Sequence, residues 1–226
     1  MYKIIGAMAI LSLLISGCGG TQAKVKTEKN RAIQFSGTKY EALSINNANS
    51  FNIDSFKIVA DITTSSNKTG NDVIFRLGNG SGKEGYTLHI NKKNKLTLDI
   101  VGSNGNPLDT VVFYGVNISN NKKYNVELSL NNKNGELVIN NVVQGFQLKN
   151  SIVHPSNPIA LIGANDNKKY SHLFSGTIDN FAFYDSKNQL ILKYDFEKAG
   201  RSASPDKSGN NHSFKAIGKP KLKFEF

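Results

Sequence analysis

The side chains able to do chemistry in this 226-residue chain are few and scattered. Hydrolysis of a glycosidic bond needs two carboxyl groups close together, one to protonate the leaving oxygen and one to act as nucleophile or base. The acids that fall in alternating apolar–polar runs, Asp61, Asp99 and Glu127, each stand alone, and no Glu-x-Asp-x-x-Glu run occurs. The sequence therefore predicts no catalytic residues, unless the fold gathers separate acids in one cleft. The four histidines, His89, His154, His172 and His212, lack the spacing of a metal-ligand set. There is no serine–histidine–acid motif, glycine-rich phosphate loop or Cys-x-x-Cys. What remains suits recognition. Arg76, His89, Asn91, Asp99, Tyr114, Asn125 and Glu127 are expected on a sheet face turned away from the core. Sugars need planar polar groups and an aromatic platform, and without tryptophan Tyr114 is the expected platform. It ends the run Val111-Val112-Phe113-Tyr114, apolar on both faces, so a covering strand or loop is its other reading. His89 likewise reads as a ligand contact or as a solvated strand histidine.

The single cysteine, Cys18, is placed for different chemistry. Before it come Lys3, an apolar run from Ile4 to Ile15 and the small pair Ser16-Gly17. A positive start, a short apolar core and small residues at its end make an export signal. The run is shorter than the roughly 20 residues that span a bilayer. Leu14-Ile15-Ser16-Gly17-Cys18 resembles the bacterial lipobox, in which a diacylglycerol is joined to the cysteine thiol before cleavage. That resemblance implies a signal peptide over residues 1–17 and a Cys18 carrying lipid chains such as palmitate. Residues 18–30, polar and lysine-containing, then form a flexible tether. The expected location is a bacterial cell envelope, lipid-anchored to a membrane on the exported side. A lone cysteine also excludes an internal disulfide.

The net charge is +11, and loss of Lys3 with the signal leaves +10. Such a balance favours anionic surfaces: phospholipid headgroups, teichoic acids or acidic glycans. The lysine pairs Lys92-Lys93, Lys122-Lys123 and Lys168-Lys169 fall at Asn-rich turns and read equally as solvated turn charges. Nucleic acid is not an expected partner of an exported chain.

The elements that must position these residues are strands. Phe56, Ile58, Ala60 and Ile62 alternate with polar or outward positions, as do Tyr86, Leu88 and Ile90, then Leu96, Leu98 and Ile100, then Tyr124, Val126, Leu128 and Leu130. Asn91-Lys92-Lys93-Asn94, Asn131-Asn132-Lys133-Asn134-Gly135 and Asn140-Asn141 separate them, and Asn and Gly tolerate the positive φ of tight hairpins. About a dozen strands without a helical period predict an all-β, two-sheet antiparallel sandwich as one domain over residues 31–226. Alternation breaks at Asp179-Asn180: Ile178 reads inward, yet so do Phe181 and Phe183. One extra residue there predicts a β-bulge. Leu192, Tyr194 and Phe196 predict a late strand, and Phe214, Ile217, Leu222, Phe224 and Phe226 a terminal hairpin.

Several segments resemble laminin G-like domains of the concanavalin A-like lectin and glucanase superfamily. Ala32-Ile33-Gln34-Phe35-Ser36-Gly37, followed by Tyr40-Glu41-Ala42-Leu43-Ser44-Ile45, resembles their opening. Leu137-Val138-Ile139-Asn140-Asn141 resembles their hairpin, where Asp-Gly is more usual. Phe174 to Asp185, through Gly176, Ile178, Asp179 and Tyr184, resembles their closing strand. Asp195-Phe196-Glu197 and Asp206-Lys207-Ser208-Gly209-Asn210 resemble a segment that commonly precedes the first strand, and here it follows the last. The resemblance implies a concanavalin A-like jelly roll. It also implies a structural calcium held by Asp179, by carbonyls near Phe35 to Gly37 and by Asp206; without calcium, Asp179 reads as a cap on a backbone N–H. The implied function is non-catalytic binding of a carbohydrate, with Arg76, His89, Asp99, Tyr114 and Glu127 as candidate contacts. A protein-binding adhesion module and a glycan-cleaving enzyme are the alternatives on the same fold.

Overall fold

The period-two runs become strands because each offers one apolar face to a core and one polar face to water. The structure, a computed structural model, describes residues 31–66, 70–166, 172–197 and 206–224. The export signal, Cys18, the tether, Lys168-Lys169 and Phe226 lie outside the described residues. In chain order the strands are β1 (Arg31–Ser36), β2 (Ala42–Ile45), β3 (Ser55–Thr64), β4 (Asp72–Gly78), β5 (Tyr86–Ile90), β6 (Leu96–Val101), β7 (Pro107–Val112) and β8 (Lys123–Asn131). They continue with β9 (Asn134–Ile139), β10 (Val142–Gln147), β11 (Ile159–Ile162), β12 (Ser175–Asp185), β13 (Leu190–Tyr194), β14 (Phe214–Ile217) and β15 (Lys221–Phe224). Among the described residues the one helical element is the 3-10 turn Ala48–Phe51, with His172 also in 3-10 conformation.

One sheet runs β10-β9-β8-β3-β12-β1-β15, with β13 also on β12, and the other runs β14-β2-β11-β4-β5-β6-β7. Among the described residues the strands pair antiparallel, as in the nine-residue register of β3 on β8 from Ser55↔Asn131 to Thr63↔Lys123. The predicted turns hold left-handed asparagines, with φ of 47° and 70° at Asn140 and Asn141, 59° at Asn94 and 55° at Asn132. The core is welded by aromatic rings from both sheets. Phe56 stacks on Tyr86 at 4.6 Å, Phe75 on Phe181 at 5.5 Å, and Phe51 meets Phe183 edge-on at 5.0 Å. Such pairs add to the burial of large rings.

The bulge lies where alternation broke. Asp179 pairs with Asp61 and Ala182 with Val59, so Asn180 and Phe181 oppose Ala60 alone. Asn180 takes the left-handed conformation, φ 47°, and both Phe181 and Phe183 reach the core. The expected terminal hairpin is not formed. β14 pairs with β2 in one sheet and β15 with β1 in the other, so the chain crosses between sheets at Gly218-Lys219-Pro220. Period-two patterning marks both segments as strands, but it carries no information about their partners.

Candidate functional site

Three of the five expected contact residues meet on the outer face of the seven-stranded sheet. The register sets Arg76 opposite Thr87, Thr87 opposite Asp99 and Asp99 opposite Thr110, with His89 beside Thr97 in the next row. This face is not open. Arg76, His89 and Thr97 are buried. The chain after β11 folds back over one part of the face: Ala164 and Leu173 pair and pack on Ala42 and Leu161, and Tyr40 Oη donates to Asn165 O at 2.8 Å.

Arg76 serves the protein itself. Its Nε lies 3.3 Å from Asp166 Oδ1, its Nη1 donates to Thr87 Oγ1 at 3.3 Å, and its Nη2 donates to Lys83 O at 3.0 Å. Burial lowers the guanidinium pKa, and the Asp166 carboxylate opposes that shift. His89 Nε2 lies 3.0 Å from Asp99 Oδ2, and Thr110 Oγ1 donates to Asp99 Oδ1 at 2.7 Å. Burial alone would raise the Asp99 carboxyl, but the His89 imidazole and the Thr110 hydroxyl outweigh it and hold it below its usual range.

The other two contact residues lie elsewhere, so the five do not share one face as the sequence suggested. Tyr114 sits past the end of β7 and is 72% exposed rather than covered. Its backbone N–H donates to Gln144 Oε1 at 2.9 Å, and Gln144 Nε2 donates to Val112 O at 2.9 Å. One glutamine thus ties the edge of one sheet to the edge of the other. Glu127 belongs to the eight-stranded sheet, on its outer face.

There it enters a cleft of about 580 Å³. The floor comes from β3, β8 and β9, where the register sets Lys57 opposite Ser129 and Ser129 opposite Glu136. Gly145 faces Glu136 from β10 and leaves that side low. The turn after β12 supplies a wall of Asp185, Ser186 and Asn188. Asp185 Oδ1 holds that turn by accepting the N–H groups of Lys187 at 2.9 Å and Gln189 at 2.8 Å. Ser129 Oγ donates to Glu127 Oε1 at 3.2 Å, and Lys57 Nζ sits 4.7 Å from the centroid of the Tyr184 ring. The cleft therefore presents acids, the serines Ser55, Ser129 and Ser186, a lysine and the amides of Asn131, Asn134 and Asn188. Of these only Glu127 was expected as a ligand contact; Asn131 and Asn134 were expected as turn residues. Glu127-Ser129-Asn131 and Asn134-Glu136 stood at outward positions of adjoining strands, which was a usable signal; the wall after β12 had none.

The two expected calcium ligands have different surroundings. Asp206 Oδ1 accepts from the N–H groups of Lys193 and Ser208, and Oδ2 from Ser208 Oγ and the His212 N–H. Burial would raise this carboxyl, and the four donors instead lower it. A cation there would have to displace those donors. Asp179 is buried beside Asp61, two like charges directly opposite across β12 and β3. The bulge puts the Asn180 amide between them, 3.0 Å from Asp61 Oδ2 and 3.2 Å from Asp179 Oδ2, and the Asn180 N–H donates to Asp179 Oδ1 at 2.7 Å. Among the described residues no group of three or more acid, histidine or cysteine side chains forms a metal cage.

No protein-family model matches the chain, and comparison with curated proteins gives no match. Solved structures do match in fold. A proposed carbohydrate-binding protein of Bacteroides ovatus superposes with a TM-score of 0.65 at 14% identity, over 87% of this chain and 60% of the other. This chain thus spans 60% of that protein's length. The CBM40 module of a Ruminococcus gnavus IT-sialidase gives 0.53 at 15% identity, over 65% of this chain and 85% of the module. Domains LG4-5 of the mouse laminin α1 chain give 0.52 at 14% identity, over 73% of this chain and 43% of theirs. The class these likenesses define is a fold: a concanavalin A-like jelly-roll sandwich, the architecture of laminin G domains and of several carbohydrate-binding modules.

Proposed function

We propose that the chain is a non-catalytic carbohydrate-binding module, carried on a lipid anchor at the exported face of a bacterial membrane. The cleft on the eight-stranded sheet carries this reading. Its volume falls among those of small-molecule sites, about 300–1,000 Å³, and its acids, amides and serines match the donors and acceptors of sugar hydroxyls. The shared fold with carbohydrate-binding modules supports the same assignment, although a fold alone does not fix a function. The test is a glycan array probed with the domain beginning near Lys24, with and without calcium. Glu127→Ala should lower binding to the best glycan about tenfold or more, the loss of a charge-assisted hydrogen bond, while circular dichroism stays unchanged. Undiminished binding by a folded Glu127→Ala protein would remove the cleft from the proposal.

One observation favours a second reading. Glu127, Glu136 and Asp185, isolated in sequence, border one cleft. If the array glycan is cleaved, and Glu127→Gln or Glu136→Gln stops the cleavage but not the binding, the module is a glycosidase.

The anchor rests on the lipobox resemblance at Cys18. Cys18→Ala should abolish incorporation of labelled fatty acid and release the protein or leave it uncleaved. Continued labelling of that variant would exclude the anchor.

The proposal also includes a stabilising calcium beside Asp179, with the Asp61 carboxylate opposite it. Binding to the native state alone stabilises by about 2.7 kcal/mol at a hundredfold excess over Kd, worth about 5–10 °C in Tm for a domain of this size. Chelation should lower the Tm of the parent and leave Asp179→Ala unaffected. A parent indifferent to chelation would return Asp179 to the role of a backbone cap.

A further inference from the structure

We infer that the edge of the sandwich from Lys215 to Lys223 docks on an anionic lipid bilayer. The segment Lys215-Ala216-Ile217-Gly218-Lys219-Pro220-Lys221-Leu222-Lys223 holds four lysines and no acid. Its first part is the outermost strand of one sheet and its last part the outermost strand of the other, so nine residues border both sheets. The apolar positions are covered: Ala216 and Leu222 pack against the core, Ile217 packs on the outer-face cluster of Ala42, Leu161, Ala164 and Leu173, and Phe214 meets Tyr194 at 5.1 Å. All four lysines are exposed. Gly218, with φ 74°, turns the chain against the Tyr40 carbonyl, which brings exposed Lys39 near the same edge. Glu41, beside that turn, is buried, and its carboxylate accepts the Ser36 N–H at 2.6 Å. Among the described residues none of these five lysines forms an ion pair.

The point of chain entry marks the same edge. Arg31 pairs with Phe224, so residues 1–30 join the domain beside β15. The expected tether, residues 18–30, adds three more lysines, Lys24, Lys26 and Lys29, and one acid, Glu28. The cleft lies toward the other side of the eight-stranded sheet. From β15 to β8 is four strand steps, about 19 Å at the usual strand spacing. With the lysine edge on a membrane, the cleft stands several strands clear of it. A lysine near an anionic leaflet strengthens partition about fivefold, an attraction that fades within a Debye length. Lysines on edge strands also keep sheets of different copies from pairing, so the experiment must separate the two roles. The inference depends neither on lipid at Cys18 nor on a sugar in the cleft.

All strands of both sheets lie between Arg31 and Phe224, so a chain from Lys24 carries the whole sandwich. Its binding to phosphatidylcholine vesicles with and without phosphatidylglycerol is measured by co-sedimentation at low and raised salt. The parent should prefer the anionic vesicles and lose that preference at raised salt. Changing Lys215, Lys219, Lys221 and Lys223 together to Gln should weaken binding by up to about 600-fold, about fivefold for each lysine. Changing the exposed Lys92, Lys93, Lys122 and Lys149 to Gln gives the same net charge and should bind as the parent does. Equal loss in both variants would reduce the effect to net charge and overturn the inference. So would a parent indifferent to phosphatidylglycerol, or an edge variant that self-associates while binding vesicles undiminished.

Discussion

Arg76→Ala should cost the domain about 3–5 kcal/mol, the range for breaking a buried ion pair by removing one partner. The Arg76 and Asp166 side chains are 1% and 0% exposed. Without the guanidinium, the Asp166 carboxylate keeps the Gly80 N–H as a donor, at 3.0 Å, and is left as an uncompensated buried charge. Gly78 shows how closely the pair is fitted. A Cβ there would collide with both the guanidinium and the carboxylate, so a glycine leaves the space they fill. Urea denaturation gives the number directly if the transition is cooperative. The paired change Arg76→Met with Asp166→Leu should recover most of the loss, because apolar residues of similar volume commonly replace a buried pair without penalty. A cost below about 1 kcal/mol for Arg76→Ala would mean that the pair is solvated in solution.

Truncation after Asp185 should leave no cooperatively folded domain. The deleted part contains Leu192, Tyr194 and Phe196, each 0% exposed, and Phe214 at 6%. Burial of such side chains contributes about 1.5–3 kcal/mol each, so four of them amount to as much as the usual net stability of about 5–15 kcal/mol. The cut also strips β14 from β2 and β15 from β1, exposing two new sheet edges. Tyr194 Oη, which donates to His212 O at 2.6 Å, ties β13 to the segment leading into β14, so the deleted part acts as one unit. Limited proteolysis and near-ultraviolet circular dichroism check the outcome. A protease-resistant, cooperatively melting truncation would show that the last strands are an appendage.

Local chemistry was legible in the sequence. Alternation such as Tyr124, Val126, Leu128 and Leu130 fixed a strand and its buried face, because side chains on a pleated strand repeat every two residues. Asparagines at Asn94, Asn132, Asn140 and Asn141 fixed the turns, because their conformation is a property of the residue. The bulge at Asp179-Asn180 was legible too, as a fault in a two-residue period.

The site was less so. Arg76, His89 and Asp99 were read correctly as facing away from the core, but alternation cannot tell an outer face in water from one under a returning segment. That depended on Asp166, 90 residues along the chain from Arg76. Likewise, β14 and β15 read as two arms of one hairpin until pairing with β2 and β1 put them in different sheets. Glu127, Glu136 and Asp185 stood isolated in the sequence and share a cleft only because β8 lies between β9 and β3, and β3 beside β12. The sequence by itself determined the strands, the turns, the bulge and the two faces of each strand, since these follow from interactions between near neighbours in the chain. The tertiary structure decided which faces are open and which acids meet, because strand pairing over long separations is settled by packing of the whole sandwich.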